Sequence, residues 1–243
     1  MRWLTDPPLD GVSNMARDEA LLQLVGQGES PPTLRFYGWT PPTVSLGYFQ
    51  VFADFERIGP PASELAVVRR QTGGGAILHD IELTYSLVLP HGHPLIGSDG
   101  PNGLYNHVHG VVADLLRRHG VPVSRGPVGG GGCSHGGPFF CFERHSCFDL
   151  LADGRKLMGS AQRRTAHAVL QHGSLVLGRR FEQQKCAAVR DYTAMDIEGE
   201  LCGLAERIVF PLPIEMGSFS LAEENLALQL RSKYGDPAWT QRR

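Results

Sequence analysis

Three consecutive glycines follow a short β-rich run and constrain the fold more than any other feature of the sequence. Residues 66–70 have the composition of a strand, and this strand leads into Gly73, Gly74 and Gly75. Residues without side chains let main-chain N–H groups approach a ligand closely. The neighbouring Arg69 and Arg70 could hold a carboxylate, phosphate or thioester oxygen. The segment lacks G-K-[ST] and G-x-G-x-x-G, so it is neither a P-loop nor a Rossmann fingerprint. The structural alternative is a tight turn with a solvated basic flank.

Strands and helices mix along the chain without strict alternation, which predicts an α/β fold with a mixed β-sheet and flanking helices. Residues 104–116 carry apolar side chains at helical spacing. A capping box at Ser220 and Glu223 begins another helix, which runs to about Tyr234. The remaining predicted elements are helices at 13–25 and 181–189, and strands at 33–37, 43–46, 83–89 and 168–177. We expect a single domain over residues 1–243, with a frayed tail over 236–243.

Composition and charge exclude several classes of protein. The formal net charge is −2 and 20% of the residues are charged, which gives no electrostatic reason to expect nucleic acid or membrane as a partner. The sequence has no bilayer-spanning apolar run and no signal region, so the expected location is the cytoplasm. The number of cysteines is odd and none has the C-x-x-C spacing, so we expect free thiols and no metal. These cysteines are Cys133, Cys141, Cys147, Cys186 and Cys202.

Residues 148–161 predict a β-hairpin that presents a lysine. Strand alternation would put Lys156, Met158 and Ser160 on one face of its second strand. A lysine fixed in a pocket can polarise a carbonyl group, and its charge favours the thiolate form of a neighbouring thiol. The alternative is an exposed hairpin lysine. Three small residues that leave room for a ligand favour the pocket: Gly159, Ser160 and Ala161.

Two thiols and two histidines are further candidates for the site. Cys141 follows the glycine-rich stretch 126–137, a predicted loop, and Cys147 lies just before the hairpin strand. Either thiol could be a nucleophile or a buried structural cysteine. His79 and His172 could bind or orient a substrate, or could be structural histidines that are satisfied by hydrogen bonds.

Five segments resemble, in order, the lipoate-protein ligase and octanoyltransferase family, which has the biotin/lipoyl ligase fold. They are residues 14–22, similar to its first helix; 37–47, similar to W-x-P-P-x-[VL]-S-[LI]-G; 69–80, similar to R-R-x-[ST]-G-G-G-A-x-x-H-D; 153–162, similar to G-R-K-[IVL]-x-G-S-A-Q; and 170–174, similar to L-Q-H-G-S. The resemblance covers about residues 12 to 177. It implies a mixed-sheet, biotin/lipoyl protein ligase-like catalytic domain.

The resemblance also implies a reaction. Octanoyltransferases of this family move an octanoyl group from acyl carrier protein to a lysine of a lipoyl domain, such as that of glycine cleavage protein H. In cysteine-dependent members a Cys-Phe pair precedes the hairpin, and Cys141-Phe142 matches it. The expected catalytic residues are therefore Cys141 and Lys156, and no cofactor is expected. The expected substrate-binding residues are Arg69, Arg70, Gly73, Gly74, Gly75, His79, Gly159, Ser160, Ala161 and His172.

Other interpretations stay open at this point. Ligases of the family activate lipoate with ATP and Mg²⁺ and need no cysteine. A non-catalytic module that binds acyl groups or carrier proteins could keep the same fold, although a lysine, a glycine triplet and a thiol together argue against it. Cys147 is the rival of Cys141 as nucleophile. The sequence also does not separate transfer from a carrier protein from transfer between two lipoyl domains. The acyl length, the acceptor and the oligomeric state do not follow from the sequence either.

Overall fold

A computed structural model describes residues 1–97, 99–127 and 138–243 of the chain. The strands are β1 (Arg2–Thr5), β2 (Thr33–Tyr37), β3 (Thr43–Leu46), β4 (Ala66–Arg69), β5 (Ile77–His79), β6 (Glu82–Pro90), β7 (Val123–Arg125), β8 (Leu150–Ala152), β9 (Arg155–Arg164), β10 (Ala168–Val176) and β11 (Glu215–Met216). The helices are α1 (Gly11–Gln27), α2 (Phe52–Glu56), α3 (Gly100–Arg118), α4 (Ile197–Val209), α5 (Leu221–Gly235) and α6 (Pro237–Thr240).

The strands form one large and one small sheet. The large sheet has the order β11-β1-β2-β6-β10-β9-β8-β7, and the small sheet has the order β4-β3-β5. In the large sheet β1 is parallel to both of its neighbours, and the pairs from β2 to β7 are antiparallel. In the small sheet β3 is parallel to β4 and antiparallel to β5. The predicted mixed-sheet α/β fold is confirmed.

Helices cover both faces of the large sheet. On one face, α3 and α4 pack on alternate residues of the central strands, such as Leu87 and Leu175. On the other face α1 packs through Leu21 against Val88 and Leu170. Successive side chains of a strand point to opposite faces, so β6 contributes to both cores. The small sheet lies on the α1 side, where Val68 packs with α1 and α5. This arrangement leaves space for a site between the two sheets.

Most predicted elements are confirmed within a few residues, and two predictions are wrong. Residues 181–189 form tight turns and not a helix, because the Ala187 N–H donates to the Lys156 carbonyl of β9 and Cys186 is buried. The tail is not frayed: α6 lies within it and Thr240 is buried. Residues 128–137, which include Cys133 and most of the predicted glycine-rich loop, lie outside the described residues.

Candidate functional site

A narrow cavity lies between the large sheet and the glycine loop of the small sheet. It encloses ≈ 490 Å³ of space between atoms, its open mouth included. Its apolar wall is formed by Met15, Trp39, Ile77 and Phe142. Its other predicted lining residues are Arg70, Gly73, Gly74, His79, Cys141, Gly159, Ser160, Ala161 and His172. The cavity therefore brings together nine residues that the sequence had singled out from distant segments.

The Lys156 ammonium group lies against the Cys141 thiol at this cavity. Lys156 Nζ is 3.6 Å from Cys141 Sγ and 2.9 Å from Asp149 Oδ2, and the lysine is only 3% exposed. Burial alone would lower the pKa of Lys156, but the charges of Cys141 and Asp149 and their hydrogen bonds outweigh burial and raise it. Lys156 is therefore a fixed cation beside the sulfur atom, and its environment opposes loss of its proton.

A β-bulge directs Lys156 towards Cys141, although Lys156 itself lies outside the cavity lining. The register of β8 against β9 pairs Leu150 with Met158 and Leu151 with Lys156, so Leu157 is an extra residue on β9. Met158 is buried in the core under α3, whereas Lys156 reaches Cys141. The predicted shared face of Lys156, Met158 and Ser160 is therefore wrong, because the bulge reverses the alternation between Lys156 and Met158.

The glycines of the site make room for other parts of the protein as well as for a ligand. A Cβ atom on Gly159 would lie 2.5 Å from Lys156 Cε, so a side chain there would displace the lysine. A Cβ on Gly75 would lie 2.9 Å from the Cys141 nitrogen. Gly75 thus packs against the cysteine segment, and of the triplet it is Gly73 and Gly74 that line the cavity.

Main-chain hydrogen bonds fasten the Cys141 segment to the end of the glycine loop. The Cys141 N–H donates to the Ala76 carbonyl at 2.7 Å, and the Ala76 N–H donates to the Phe139 carbonyl at 3.0 Å. A short 3₁₀ helix, Cys141–Glu143, begins at the cysteine. The thiol therefore has a fixed position relative to both the glycine loop and β9. Cys141, and not Cys147, lines the cavity.

The two arginines before the glycines, which the sequence predicted to hold a substrate oxygen, make hydrogen bonds to the protein itself. Arg70 donates to Thr72 Oγ1, to the Ser45 carbonyl and hydroxyl, and to the Gly73 and Gly75 carbonyls. These bonds use all five N–H groups of the guanidinium. Arg69 lies outside the cavity lining. It is fully buried and donates to the main-chain carbonyls of Gly47, Gln50 and Thr240.

Each of the two histidines at the cavity stands between a carboxylate and a hydroxyl group. His79 Nδ1 is 2.7 Å from Glu82 Oε1 and its Nε2 is 2.7 Å from Ser45 Oγ. Burial lowers the pKa of His79 more than Glu82 raises it. The His79 ring also stacks on Trp39, with the ring centres 3.7 Å apart.

His172 has the same arrangement on the α1 side. Its Nδ1 is 3.1 Å from Asp18 Oδ2 and its Nε2 is 2.7 Å from Thr72 Oγ1. Both rings are thus held in one orientation, with their hydroxyl partners, Thr72 and Ser45, bonded to Arg70. Each histidine lines the cavity and is also part of the structural network.

The Ser160 hydroxyl bonds to residues of β6 and α3 behind the cavity. It lies 2.8 Å from the Tyr85 hydroxyl and 2.6 Å from His109 Nε2. Complete burial of His109 lowers its pKa to about 4, so the imidazole is neutral and accepts a hydrogen bond. Burial also raises the pKa of Tyr85. These neutral groups hold β9 in place behind Gly159 and Ala161.

Sequence reasoning missed the carboxylates of the site. Asp149 is the counterion of Lys156, Asp18 orients His172, and Glu82 orients His79. Asp18 lies within the segment that resembles the first helix of the family and Glu82 lies three residues after His79, so both positions were visible. No spacing rule connects Asp149 to Lys156, because the pairing depends on the bulge. Among residues 1–97, 99–127 and 138–243, no group of three or more metal-ligating side chains is present.

Solved structures of lipoate-protein ligases share this fold. The chain superposes on lipoate-protein ligase A bound with ATP with a TM-score of 0.77 at 23% identity, covering 99% of this chain and 98% of that one. It superposes on a bi-partite lipoate protein ligase from Thermoplasma acidophilum with a TM-score of 0.70 at 23% identity, covering 99% and 95%. The chain thus has the fold of lipoate-protein ligases, as expected.

Sequence comparison identifies the family to which the chain belongs. Residues 10–199 match the model of the lipoyl protein ligase A/B catalytic domain, and the chain belongs to this family. It is 36% identical to octanoyltransferase LipM of Moorella thermoacetica, with 96% of this chain and 95% of that protein covered. It is 33% identical to octanoyltransferase LipM of Carboxydothermus hydrogenoformans, with 98% and 97% covered. None of the helices in the described ranges has the length and apolar character needed to cross a membrane.

Proposed function

We propose that the protein is an octanoyltransferase of protein lipoylation, which carries the octanoyl group as a thioester on Cys141. The observation on which the proposal rests is the 3.6 Å approach of Lys156 Nζ to Cys141 Sγ at the cavity. The relatives that match over nearly the whole chain are octanoyltransferases, which supports the same chemistry. By the same reasoning the donor is octanoyl acyl carrier protein, and the acceptor is a lysine of a lipoyl domain such as that of glycine cleavage protein H.

The first half-reaction loads the enzyme. The Cys141 thiolate attacks the carbonyl carbon of the donor thioester, and a new C–S bond forms. The tetrahedral intermediate then collapses as the bond to the donor sulfur breaks, and the donor leaves as a thiolate that takes up a proton from solvent. Lys156 stabilises the attacking thiolate, because it is a cation next to the sulfur atom. One thioester replaces another, so this step is nearly balanced in energy.

The second half-reaction transfers the group to the acceptor. The acceptor lysine attacks the octanoyl-enzyme as a free amine, an amide bond forms, and the C–S bond to Cys141 breaks to restore the thiolate. The amine loses one proton in this step, and His172, an imidazole of the cavity wall, is the group that we assign to relay that proton to solvent. An amide is more stable than a thioester, so the overall reaction runs downhill without ATP or another cofactor.

The glycine loop provides the oxyanion site in this proposal. Arg70 fixes the carbonyl groups of Gly73 and Gly75 towards its guanidinium, so the peptide N–H of Gly74 points away from the arginine. In both half-reactions the carbonyl oxygen of the octanoyl group gains negative charge, which such an N–H group can stabilise. Loss of one donor of this kind typically costs about 10²–10³ in rate. Arg70 therefore acts as a positioning residue for the loop.

The apolar wall of the cavity suits the octanoyl chain. Met15, Trp39, Ile77 and Phe142 present aliphatic and aromatic surface to the space beside Cys141. Burial of each methylene group is worth about 0.8 kcal/mol, so an eight-carbon chain would gain several kcal/mol in such a site. A reducing cytoplasm is the compartment that keeps a catalytic thiol free, and we propose that the reaction takes place there.

Intact-protein mass spectrometry after mixing with octanoyl acyl carrier protein tests the proposal. We expect the chain to gain one octanoyl group, and Cys141→Ala to abolish the adduct and lower transfer to a lipoyl domain at least about 10³-fold. The matched control is Cys147→Ala, which should keep the adduct. Loss of the adduct in Cys147→Ala alone would move the nucleophile to that residue. Lipoate- and ATP-dependent modification that survives Cys141→Ala would instead identify an adenylating ligase.

A further inference from the structure

A cluster of arginines and aromatic rings lies at the surface, and the proposed reaction does not use it. Three exposed arginines, Arg163, Arg242 and Arg243, surround Tyr48 and Phe49. The Arg242 guanidinium lies 4.2 Å from the Tyr48 ring centre, Arg163 lies 5.9 Å from the same ring, and Arg243 lies 5.3 Å from the Phe49 ring. We call these five residues the cationic rim. Within the described part of the chain, no ion pair neutralises any of the three guanidinium groups.

The cationic rim adjoins the mouth of the cavity. A Cβ atom on Gly73, which lines the cavity, would lie 3.9 Å from the Phe49 ring. On β9, Arg163 follows the cavity residue Ala161 by two positions and therefore points to the same side of the sheet. Phe49 is 63% exposed and presents an apolar ring at this place. A molecule entering the cavity from this side passes over the aromatic rings and between the arginines.

The positive charge of the rim is strong enough to affect its neighbours. Burial, followed by the charges of Arg242, Arg243 and Arg70, lowers the pKa of Arg69 to about 10. The Tyr48 hydroxyl accepts a hydrogen bond from Arg242, and together with the charges of the three rim arginines this lowers the pKa of Tyr48. A surface with such an excess of one charge attracts partners of the opposite charge and raises their rate of association.

We infer that the cationic rim is the docking surface for the acyl donor, a carrier protein with an acidic surface and a phosphate-bearing arm. The inference rests on the proposed function and assigns its donor to a place on the molecule. A donor that feeds a narrow cavity must keep its body outside and insert the acyl group on an extended arm. Guanidinium groups bind phosphate and carboxylate oxygens well, in pairs of parallel hydrogen bonds.

Charge favours the donor over the acceptor as the occupant of this surface. The acceptor presents a lysine, which arrives as an ammonium group in most of its population at neutral pH. Arg163, Arg242 and Arg243 repel that cation and attract an anionic arm. The acceptor is therefore expected to approach the loaded thioester from another side of the cavity mouth.

Charge reversal on the chain of 243 residues tests the inference. Arg163→Glu combined with Arg242→Glu should lower kcat/KM for octanoyl acyl carrier protein about tenfold relative to kcat/KM for an uncharged donor, the octanoyl thioester of N-acetylcysteamine. The salt dependence of the carrier-protein reaction should weaken as well. The matched control is Arg117→Glu combined with Arg118→Glu, which makes the same change in net charge on exposed residues at the end of α3 and should leave the ratio unchanged.

Titration of unacylated carrier protein against the same variants measures docking without turnover. Weaker binding to the rim variant alone would support the inference. Equal binding and an equal donor ratio in all variants would overturn it, as would a loss confined to transfer onto the lipoyl domain, which would make the rim an acceptor surface. Failure of the wild-type chain to form an acyl-enzyme with either donor would refute the proposed function, and the titration would still decide where the carrier protein binds.

Discussion

Lys156 has two partners in the same buried space, and the two differ in when they carry a negative charge. Asp149 contributes a carboxylate group, whereas Cys141 carries a negative charge only as a thiolate. Asp149 allows the ammonium group to be buried, because an unpaired buried charge is costly. The remaining attraction acts on the sulfur atom at 3.6 Å. At this distance the Coulomb energy is about 1 kcal/mol even at the dielectric constant of water, and larger in a buried site.

Replacement of this lysine should therefore slow the chemistry of the thiol directly. We predict that Lys156→Met lowers the rate of Cys141 alkylation by iodoacetamide at pH 7 about tenfold, and that octanoyl-enzyme formation falls at least as much. The matched control is Lys185→Met, since Lys185 is an exposed lysine whose Nζ lies 3.7 Å from Glu143. A circular dichroism melt shows whether the variant is folded. An unchanged alkylation rate in a folded Lys156→Met variant would refute the role of the ammonium group.

At the level of single elements, regular patterns were predictable and irregular ones were not. The capping box of α5 and the alternation of β2 depend on local sequence, and both predictions are confirmed. The bulge in β9 has no local signature, because it results from the pairing of β8 with β9. The site depends on that bulge. Because of it, Lys156 points to the opposite face of the strand from the one that the alternating pattern predicted.

Two further cases differ in whether the local sequence carried the signal. Helix α4 has buried residues at helical spacing, Leu201, Leu204, Ala205 and Ile208, so its pattern was readable although the prediction did not include it. For Arg70 the sequence indicated only a cation near the glycines. Its five internal hydrogen bonds involve Ser45 on another strand, a pairing that no spacing within the segment reveals. Motif matching located the site, but could not say which of its residues face a ligand.

The sequence predicted a frayed tail where the structure has the C-terminal element α6. A measurement of stability can test this difference. The Trp239 indole donates to the Arg69 carbonyl at 2.9 Å and its ring packs edge-on against Tyr234. We predict that Trp239→Ala lowers the free energy of unfolding by about 2 kcal/mol, since the side chain is only partly buried. Trp239→Phe, which keeps the ring contact and loses the hydrogen bond, should lose about 1 kcal/mol. Urea denaturation measures both, and no change in either variant would favour a frayed tail.

At the scale of the whole molecule, one buried polar network connects the two sheets around the cavity. It runs from Asp18 on α1 through His172 and Thr72 to Arg70, and from Arg70 through Ser45 and His79 to Glu82. Asp18 also pairs with the fully buried Arg35. Buried polar groups stabilise a structure only while every member has its partner. The network therefore couples the shape of the cavity to the protonation of its members.

The same burial makes the folded state less stable as the pH falls, in two separate pH ranges. Complete burial lowers the pKa of His109 to about 4, from an ordinary value of 6.5. The Phe148 carbonyl and Asp149 raise this pKa, and the charges of Arg125 and Lys156 lower it further. Between these values the unfolded chain takes up a proton that the folded chain refuses, so stability falls as the pH drops from about 6.5 to 4. For Asp18, burial alone would raise the pKa, but His172 and Arg35 lower it, so its contribution is present above about pH 3.8 and is lost at lower pH.

We predict that the free energy of unfolding drops between pH 6.5 and pH 4, with about 3 kcal/mol of the drop due to His109. His79, whose pKa is also lowered by burial, adds to the loss in the same direction. His109→Gln removes a titrating group and keeps an amide for Ser160, so its stability should fall less over this range, although its stability at pH 7 is lower because one buried hydrogen bond changes. Urea denaturation at half-unit pH steps gives both curves. Parallel curves for the two proteins from pH 6.5 to pH 4 would show that His109 already accepts a proton in the fold, and that the hydrogen bond to Ser160 behind the cavity is then donated by the imidazole.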